Sequence, residues 1–425
     1  MTSFVSTRGG EPTDLSDAIF SGLAPDGGLY MPTGLRPFAP RPDGVDSLAD
    51  VGRWVAPSLF SDTPPDVIDR VVSQAFDFPV PIVEVETNLH VLELFHGPTH
   101  AFKDIGARFM ARLMAEIDPG GGQRTVLVAT SGDTGSAVAH AFHGLAGYRV
   151  IVLFPRDGVS ARQRRQMTTL GDNVLALAVR GTFDDCQRMA KEAFNDVELR
   201  ERHRLTSANS INVGRLLPQS FYYVYAAARL GWSEQPVRFV VPSGNLGNLS
   251  AGLLAHRCDM PSAGFLAAVN ANRGFSDFLA AGTFAARPSI PTFSSAMDVG
   301  DPSNLERIRW LYADDLGQLR RDVASVSISD DQTQKCIGEV YRRTGYVLDP
   351  HTAVGFLAHH AKPAPPGVPS VVLATAHPAK FPEVVEEAIG RTVPLPAGIE
   401  AVMDAEEHME EISAELDALS GKMEA

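Results

Sequence analysis

From residue 89 onward, short runs of apolar and β-branched residues alternate with longer segments of helical periodicity. The runs at 125–130 and 149–154 are apolar at nearly every position, as strands are when both of their faces are buried. Between such runs, segments such as 103–117 carry a large apolar residue at every fourth position, which is the spacing of one helix face. This alternation predicts an α/β protein with mostly parallel sheets.

The predicted strands are 89–95, 125–130, 149–154, 174–179, 237–241, 265–269 and 369–374. The predicted helices are 14–22, 66–76, 103–117, 134–145, 160–170, 182–195, 214–230, 249–257, 304–314, 330–343, 352–361 and 381–389. Residues 1–88 are rich in Gly and Pro turns and predict a small, mostly helical N-terminal unit. In open α/β sheets ligands bind beyond the carboxyl ends of strands, so the loops there are the first candidates for a site.

Composition argues against several classes of protein. A formal net charge of -14 argues against a nucleic-acid binder, which normally has a basic face. No apolar run approaches the roughly 18 residues that span a membrane, and the first residues lack a basic-then-apolar signal pattern. Cys186, Cys258 and Cys336 are far apart and lack metal-ligand spacing, which predicts free thiols in a reducing cytoplasm and no metal site.

The C-terminal stretch is strongly acidic. Residues 400–425 hold nine acidic residues against one lysine, Lys422. Apolar residues fall at helical spacing in the same stretch: Val402, Met409, Ile412, Leu416 and Leu419. The pattern predicts a terminal amphipathic helix with a solvated acidic face.

Lys103 lies near the end of the run 95–104 (Phe-His-Gly-Pro-Thr-His-Ala-Phe-Lys-Asp), between an apolar strand and a helical pattern, and is one of only six lysines in 425 residues. Apolar neighbours at the mouth of a strand–loop–helix unit can desolvate the amine, which lowers its pKa as Schiff-base formation requires. A lysine in this position taken alone is more often a solvated surface residue. The other loops must therefore decide between the two interpretations.

Two further strand ends are rich in glycine. The run 130–135 (Thr-Ser-Gly-Asp-Thr-Gly) opens a helix and suits an anion, although the same residue types also cap helices without any ligand. The run 242–248 (Pro-Ser-Gly-Asn-Leu-Gly-Asn) also opens a helix and suits a phosphate cradle built from backbone N–H groups. It lacks the lysine of a P-loop and the spacing of a dinucleotide motif, so a plain glycine-rich turn stays open as the alternative.

Three more polar segments accompany these loops. The run 374–380 places Thr375 at a strand end, and the run 295–304 is turn-rich with no further role on local grounds. The run 207–215 (Ser-Ala-Asn-Ser-Ile-Asn-Val-Gly-Arg) suits an anionic group such as a phosphate, with a polar surface loop as the alternative. Together the loops supply an amine, a phosphate cradle, a second anion pocket and a hydroxyl, which is the set that pyridoxal phosphate (PLP) requires.

These loops, together with the runs 4–9 (Phe-Val-Ser-Thr-Arg-Gly) and 22–30 (Gly-Leu-Ala-Pro-Asp-Gly-Gly-Leu-Tyr), carry a resemblance that runs nearly end to end. The chain resembles the threonine synthases, which are fold-type-II PLP enzymes of the tryptophan-synthase-β superfamily. The runs 4–9, 22–30 and 295–304 are the most specific to that family. The Lys103 and Asp133 loops occur in looser form in related PLP enzymes.

The resemblance implies two parallel-rich twisted sheets flanked by helices, after a mostly helical N-terminal region at 1–88. The PLP-dependent catalytic region then covers 89–425, with a smaller subdomain at about 125–215. The expected assembly is a monomer or a homodimer, in the cytoplasm. His100 departs from the family pattern, which has an apolar residue, often Leu, at that position.

The resemblance also implies roles by position. It makes Lys103 the Schiff-base lysine and proton-transfer group, places Asp133 near the 3′-oxygen of PLP, and makes Thr375 the partner of the pyridine nitrogen. The implied cradle for the PLP phosphate is Gly244, Asn245, Leu246, Gly247 and Asn248. The implied contacts to the carboxylate and phosphate of the substrate are Thr130, Ser131, Thr134, Asn209, Ser210, Asn212 and Arg215.

The implied reaction converts O-phospho-L-homoserine and water to L-threonine and phosphate. In this β,γ-elimination and replacement, one amine serves proton transfers at Cα, at Cβ and at Cγ of the substrate. The alternatives are a PLP lyase that gives a 2-oxo acid and a non-catalytic PLP-binding protein. The product distinguishes the first alternative, and an absence of any turnover distinguishes the second.

Overall fold

The computed structural model describes residues 3–118, 120, 122–130 and 132–424. Its strands are β1 (Phe4–Ser6), β2 (Tyr30–Pro32), β3 (Ile82–Glu86), β4 (Leu89–Glu93), β5 (Arg124–Ala129), β6 (Tyr148–Pro155), β7 (Val174–Arg180), β8 (Thr206–Ser207), β9 (Val237–Pro242), β10 (Ser262–Val269), β11 (Val323–Ser327), β12 (Ser370–Ala374) and β13 (Met409–Ser413). Within the described ranges, no helix is long and apolar enough to cross a membrane.

The helices are α1 (Leu15–Ser21), α2 (Leu48–Leu59), α3 (Pro65–Ala75), α4 (Lys103–Ile117), α5 (Asp133–Phe142), α6 (Ala161–Thr168), α7 (Phe183–Asn195), α8 (Val197–Arg202), α9 (Val213–Leu216), α10 (Ser220–Leu230), α11 (Gly247–Arg257), α12 (Gly274–Ala281), α13 (Leu305–Leu311), α14 (Leu316–Asp322), α15 (Asp330–Thr344), α16 (Pro350–Ala361), α17 (Pro382–Ile389), α18 (Ala397–Met403) and α19 (Leu416–Glu424). Short 3-10 turns at Ser295–Met297 and Pro378–Lys380 also matter for the site.

Most strands belong to two sheets. The large sheet has the order β11–β10–β9–β12–β4–β3, and β3 runs antiparallel to β4 while the other pairs are parallel. The small sheet has the order β13–β7–β6–β5–β8, and its pairs are parallel. Helices pack against both sheets, as α16 does on β9 and α7 on β6. The predicted α/β fold with parallel-rich sheets is therefore confirmed.

All seven predicted strands are present, and α4 has the predicted bounds. Every residue of β5, β9 and β12 is buried, which is why an unbroken apolar run was a sound signal for them. The sequence pattern missed β1 and β2 in the N-terminal region, β13 near the C-terminus, and β3, β8 and β11. β3 and β11 are the two edges of the large sheet and have mostly half-buried side chains, and β8 has two residues, so none of them carries an apolar run.

The prediction of one terminal amphipathic helix over 400–425 is wrong. The stretch holds the end of α18, the strand β13 and the helix α19. β13 pairs in parallel with β7, with Met409 opposite Ala176 and Ile412 opposite Val179. The apolar spacing fits a helix, but the open edge of β7 offers hydrogen-bond partners that an isolated helical pattern does not reveal.

The N-terminal region is mostly helical, as predicted, with α1 to α3 and the antiparallel pair β1–β2. Gly52 lets α2 approach α3, since an added Cβ would lie 2.6 Å from Val72 Cγ1. The ring centre of Phe76 lies 6.0 Å from that of Phe109 on α4, so the region shares its apolar core with the rest of the chain. The predicted boundaries of this region and of the subdomain at 125–215 stay predictions.

The neighbouring strands β9, β12 and β4 determine where the site forms. In a parallel sheet the carboxyl ends of adjacent strands meet at one edge. The loops after β4, β12 and β9 carry Lys103, Thr375 and Gly244, so positions far apart in sequence become neighbours. From the small sheet, β5 leads into Asp133, the first residue of α5.

Candidate active site

Two loops of the large sheet hold Lys103 and Thr375 side by side. Backbone hydrogen bonds join Phe102 N–H to Thr375 O at 2.9 Å and His377 N–H to His100 O at 3.0 Å. Thr375 is 6% exposed and follows β12 directly. The loop that precedes the lysine is thereby fixed against the end of the neighbouring strand.

The amine of Lys103 is in an environment that disfavours its charge. It starts α4, its side chain is partly buried, and its Nζ lies 5.9 Å from the centre of the Phe102 ring. Burial lowers the pKa of Lys103 to about 8, Asp133 opposes this effect, and Arg215 and Lys380 add to it. A pKa of about 8 leaves about a tenth of the amine neutral at pH 7, far more than an ordinary lysine has.

Asp133 is a buried carboxylate with two partners. Its Oδ1 accepts a hydrogen bond from Gln163 Nε2 at 2.9 Å and forms an ion pair with Lys380 Nζ at 2.7 Å. Burial by itself raises the pKa of Asp133, but the charges of Lys380 and Lys103 and the hydrogen bonds from Lys380 and Gln163 hold it well below the usual range. Asp133 therefore stays ionised beside the lysine.

The turn before Lys103 is closed by a second buried acid. Asp104 accepts hydrogen bonds from Thr99 N–H at 2.9 Å and from Thr99 Oγ1 at 2.7 Å. Gly97 permits this approach, because an added Cβ would lie 2.5 Å from Asp104 Oδ2. Burial raises the pKa of Asp104 to about 6 against those hydrogen bonds. Asp104 thus shapes the loop that presents the amine.

The glycine-rich loop after β9 presents backbone donors. Leu246 adopts a left-handed conformation (φ 61°) and α11 begins at Gly247, so the first N–H groups of the helix have no intrahelical partners and suit an anion. Gly244 packs on the 3-10 turn of the 295–304 segment, where an added Cβ would lie 2.5 Å from Met297 Cα. Asn248 ties the loop together by donating to Pro242 O at 2.8 Å.

A buried arginine, Arg215, has a donor left over for a second anion. Arg215 is 3% exposed and donates from Nη1 to Ala208 O at 2.8 Å, while its Nε and Asn209 Oδ1 are buried without a partner among the described residues. Its helix lies against α4, since a Cβ on Gly106 would lie 2.7 Å from Arg215 O. Burial lowers the pKa of Arg215 to about 10, which still leaves it charged at neutral pH. Spare donors on a buried cation suit an anionic ligand.

Some predicted contact residues use their side chains to build the loops. Asn212 donates to Ile19 O at 2.7 Å and to Ser207 O at 2.8 Å, and its Oδ1 accepts from Gly214 N–H at 2.9 Å. Both of its amide hydrogens are therefore engaged with the protein. Asn245 likewise spans two segments, accepting from Ser303 N–H at 2.8 Å and donating to Ser210 Oγ at 2.7 Å.

In the run 130–135, the side chain of Thr130 bonds to the backbone of its own loop. Thr130 Oγ1 accepts from Gly132 N–H at 3.0 Å and from Gly135 N–H at 2.9 Å, which shapes the loop. Thr134 is partly buried in the first turn of α5. Ser131, also predicted to contact the substrate, lies outside the described residues.

These residues fit PLP. Lys103 offers an amine for the aldehyde, the start of α11 offers N–H groups for the phosphate, and Thr375 offers a hydroxyl for the pyridine nitrogen. Arg215, with its unpartnered Nε, remains for a second anion. Comparison with known proteins points the same way, since residues 79–375 match the family described as pyridoxal-phosphate dependent enzyme.

Residues 3–46 match the threonine synthase N terminus, and residues 352–421 match the C-terminal part of threonine synthase. The chain belongs to the threonine synthase family. It is a PLP-dependent enzyme of the lyase type, and the resemblance that its motifs carried is confirmed together with the cofactor.

The family match covers nearly the whole chain. The chain is 39% identical to the threonine synthase of Haemophilus influenzae over 416 residues, which cover 96% of this chain and 95% of that one. It is 40% identical to the threonine synthase of Escherichia coli over 391 residues, covering 91% and 90% of the two chains. The crystal structure of PLP-bound threonine synthase from Brucella melitensis superposes with a TM-score of 0.93 at 36% identity, covering 100% of this chain and 99% of that chain.

In this member of the threonine synthase family, the family-specific segment 295–304 braces the site. Asn304 Nδ2 donates to Asn245 O at 3.1 Å, and Asn304 Oδ1 accepts from Arg307 Nη1 at 2.7 Å. Arg307 is fully buried and also donates to Ile211 O at 2.6 Å. The segment therefore links the glycine-rich loop to the loop that precedes Arg215, a role that local sequence did not reveal.

Lys380 is the main residue that the sequence reasoning missed. Its side chain is 0% exposed, and its Nζ bonds to both Asp133 and Thr99 O, the latter at 2.8 Å. One signal was available: it is one of six lysines, and it lies in the run 374–380 after a predicted strand. Within that run, the sequence motif indicated a role for Thr375 and none for Lys380.

His100, the residue that departs from the family pattern, packs away from the lysine amine. Its Nδ1 lies 3.3 Å from Phe95 O, and its Nε2 faces α18, where a Cβ on Gly398 would lie 2.7 Å away. Burial, with a smaller effect of Lys380, lowers the pKa of His100 to about 4, so the imidazole is neutral at pH 7. Its Nε2 is buried without a hydrogen-bond partner among the described residues, so His100 meets the C-terminal segment by packing alone.

Proposed function

We propose that this member of the threonine synthase family converts O-phospho-L-homoserine and water to L-threonine and phosphate. One observation carries the proposal: the chain brings a desolvated amine, Lys103, together with two separate groups of donors that suit anions. Arg215 is close enough to act on the Lys103 amine, and the start of α11 follows β9, in the same sheet as the strand that leads to Lys103. A phosphorylated cofactor needs one such site, and a phosphorylated substrate needs the other. The family match supports the same reaction.

We assign the cofactor contacts as follows. The N–H groups of Gly244, Asn245, Leu246, Gly247 and Asn248 hold the phosphate of PLP. Thr375 would bond to the pyridine nitrogen, and Asp133 would lie near the 3′-oxygen. Because Thr375 is a neutral hydroxyl, it does not enforce a protonated ring, which suits chemistry that passes charge outward to Cβ and Cγ of the substrate.

We assign the substrate contacts to residues of the runs 130–135 and 207–215. Arg215, Asn209 and Ser210 bind the substrate phosphate, and Thr134 and Ser131 bind its carboxylate. Thr130 and Asn212 act through the loops that their side chains hold in shape. A buried guanidinium and aligned amides exclude water from the phosphate, which strengthens each contact.

When bound, PLP supplies an electron sink for the negative charge that develops at Cα. Lys103, with a pKa of about 8, can take the proton from Cα and then from Cβ, and can return a proton at Cγ. The γ-phosphate leaves as hydrogen phosphate, the hydroxide of a water molecule adds at Cβ, and the return of a proton at Cα completes the balance. One amine that both accepts and donates protons near neutral pH serves all these positions.

The decisive experiment is product identification. With O-phospho-L-homoserine and PLP, the purified protein is expected to release phosphate and form L-threonine in equal amounts, measured by a phosphate assay and amino-acid analysis. Borohydride reduction followed by peptide mass analysis should place PLP on Lys103. Formation of a 2-oxo acid, or PLP binding without any product, would contradict the proposal.

Two matched variants sharpen this experiment. Lys103→Ala is expected to lose the PLP adduct and threonine formation. Lys335→Ala removes an exposed lysine on α15 and is expected to change neither. Threonine formation retained by Lys103→Ala would refute the assigned role of the amine.

We further propose that the enzyme works in the cytoplasm as a monomer or a homodimer. Its three cysteines are free thiols and are buried, which suits a reducing compartment. Light scattering of the purified chain measures the assembly, and a larger oligomer would contradict this part of the proposal.

A further inference from the structure

The site contains two lysines in different states. Lys380 is fully buried and forms an ion pair with Asp133 at 2.7 Å and a hydrogen bond to Thr99 O at 2.8 Å. Lys103 is partly buried, and the structure records for its Nζ a contact with the Phe102 ring but, among the described residues, no ion pair. The carboxylate nearest to the reactive amine is thus already engaged by another cation.

The Lys380–Asp133 pair also connects the two sheets. Lys380 lies in the 3-10 turn after β12 of the large sheet, whereas Asp133 begins α5 after β5 of the small sheet. Gln163 on α6 donates to the same carboxylate oxygen at 2.9 Å, and Arg162 on α6 donates to Ala379 O. Asp133 is therefore held from both sides, in a position set by the large sheet as well as by its own helix.

Charged groups approach Lys103 from three other elements. They are Asp133 at the start of α5, Arg215 on α9 and Lys380 in the turn after β12. Asp104 follows Lys103 on its own helix and is engaged by Thr99. Lys380 in turn acts on Asp133, Asp104, Lys103 and His100. Asp133 alone among the neighbours of Lys103 acts to keep a proton on its amine.

We propose that Lys380 is a positioning residue that holds Asp133 in an ion pair across the two sheets, so that Asp133 does not pair with Lys103 and the Lys103 amine stays free to react. The inference rests on the role proposed for Lys103. Removal of the Lys380 charge raises the pKa of Lys103 in two ways. It frees the Asp133 carboxylate to pair with Lys103, and it removes a cation that repels the Lys103 ammonium. Both effects favour the protonated Lys103.

The test measures the Lys103 amine directly in the full-length chain without PLP. Acetic anhydride modifies only neutral amines, so the pH dependence of modification at Lys103, followed by peptide mass analysis, gives its pKa. Lys380→Met is expected to raise the pKa of Lys103 by about one unit or more, and thus to slow its modification at pH 7 about tenfold. Asp133→Asn is expected to shift the pKa in the opposite direction.

A third variant protects the test against misfolding. Lys380→Met leaves a buried carboxylate unpaired and can destabilise the fold, so the double variant Lys380→Met/Asp133→Asn is compared with Asp133→Asn alone. The double variant is expected to have the higher pKa at Lys103, because only the repulsion from Lys380 then differs. Lys335→Met, at an exposed position, is the matched control and is expected to leave the pKa at Lys103 unchanged.

Two outcomes overturn the proposal. An unchanged pKa of Lys103 in folded Lys380→Met would show that Lys380 serves only to stabilise the fold. A rise of that pKa in Lys380→Met no larger than the difference between the double variant and Asp133→Asn would show that Lys380 acts only by its own repulsion and not by holding Asp133. This result is independent of the reaction. A wild-type chain that makes no threonine would refute the proposed function but would leave the pKa comparison intact. A wild-type chain that makes threonine, with an unchanged pKa of Lys103 in Lys380→Met, would refute the ion-pair role alone.

Discussion

At the scale of single residues, the site is built from buried charges whose neighbours determine their protonation. Lys103, Asp133, Asp104 and Arg215 are close together, and each has its pKa moved by burial and by specific partners. Burying such groups costs stability unless they are paired. Lys103 has no ion-pair partner among the described residues, so we expect its burial to lower the stability of the folded chain.

This expectation has a defined pH dependence. The pKa of Lys103 is about 8 in the folded chain, against about 10.4 for an unfolded lysine. Between these values the unfolded chain binds more protons, so the stability of the wild-type chain rises with pH in that range. Lys103→Met lacks this rise. Its free energy of unfolding is expected to exceed that of the wild type by the largest amount below pH 8, and the difference is expected to shrink toward pH 10.

Urea unfolding of the PLP-free chain at pH 7, 8, 9 and about 10 measures the effect. Lys335→Met is the control, because Lys335 is an exposed lysine on α15. A difference between wild type and Lys103→Met that does not change with pH would show that the Lys103 amine is not perturbed by burial.

At the scale of elements, the glycine-rich loop depends on a close approach between two backbones. A Cβ on Gly244 would lie 2.5 Å from Met297 Cα, which no side-chain movement can relieve. Gly244→Ala is therefore expected to displace the loop and to weaken PLP binding at least about tenfold, as backbone shifts from overpacking cost about 1–3 kcal/mol. Equilibrium dialysis with PLP measures the affinity.

Gly421→Ala is the matched control, because its added Cβ meets no atom within 4 Å on α19. It is expected to bind PLP as the wild type does. Equal PLP affinity in Gly244→Ala and Gly421→Ala would mean that the loop after β9 does not hold the cofactor phosphate.

At the scale of the whole molecule, the C-terminal segment closes the small sheet after the chain has completed the large one. β13 adds to the edge of β7, where Ile412 is 5% exposed and Met409 is 39% exposed. Ile412→Ala is expected to lower the free energy of unfolding by about 2 kcal/mol. Met409→Ala, on the same strand, should change it by less than about 0.5 kcal/mol.

Denaturant unfolding of the two variants compares a buried and an exposed position on one strand. Equal losses would show that the strand acts only through its backbone. No loss in Ile412→Ala would show that β13 is not docked in solution.

Most of the fold and part of the site could be predicted before the structure. The strands buried on both faces were visible because burial requires apolar residues at consecutive positions, and α4 was visible because its apolar face repeats every four residues. Lys103 and the loop at Gly244 could be predicted because each lies in a short run with glycine and polar residues that directly follows a predicted strand. Ser131 lies outside the described residues, so its predicted contact stays a prediction.

The sequence by itself determined the α/β class, the family and the cofactor, and it predicted Lys103 as the reactive lysine, because each depends on local periodicity or on a contiguous motif. Only the tertiary structure decided that residues 409–413 form a strand, that the amide of Asn212 is engaged by the protein, and that Lys380 pairs with Asp133. Edge pairing and the partner of a buried charge depend on which segments the fold brings together. No local pattern records that information, since the partners are far apart along the chain.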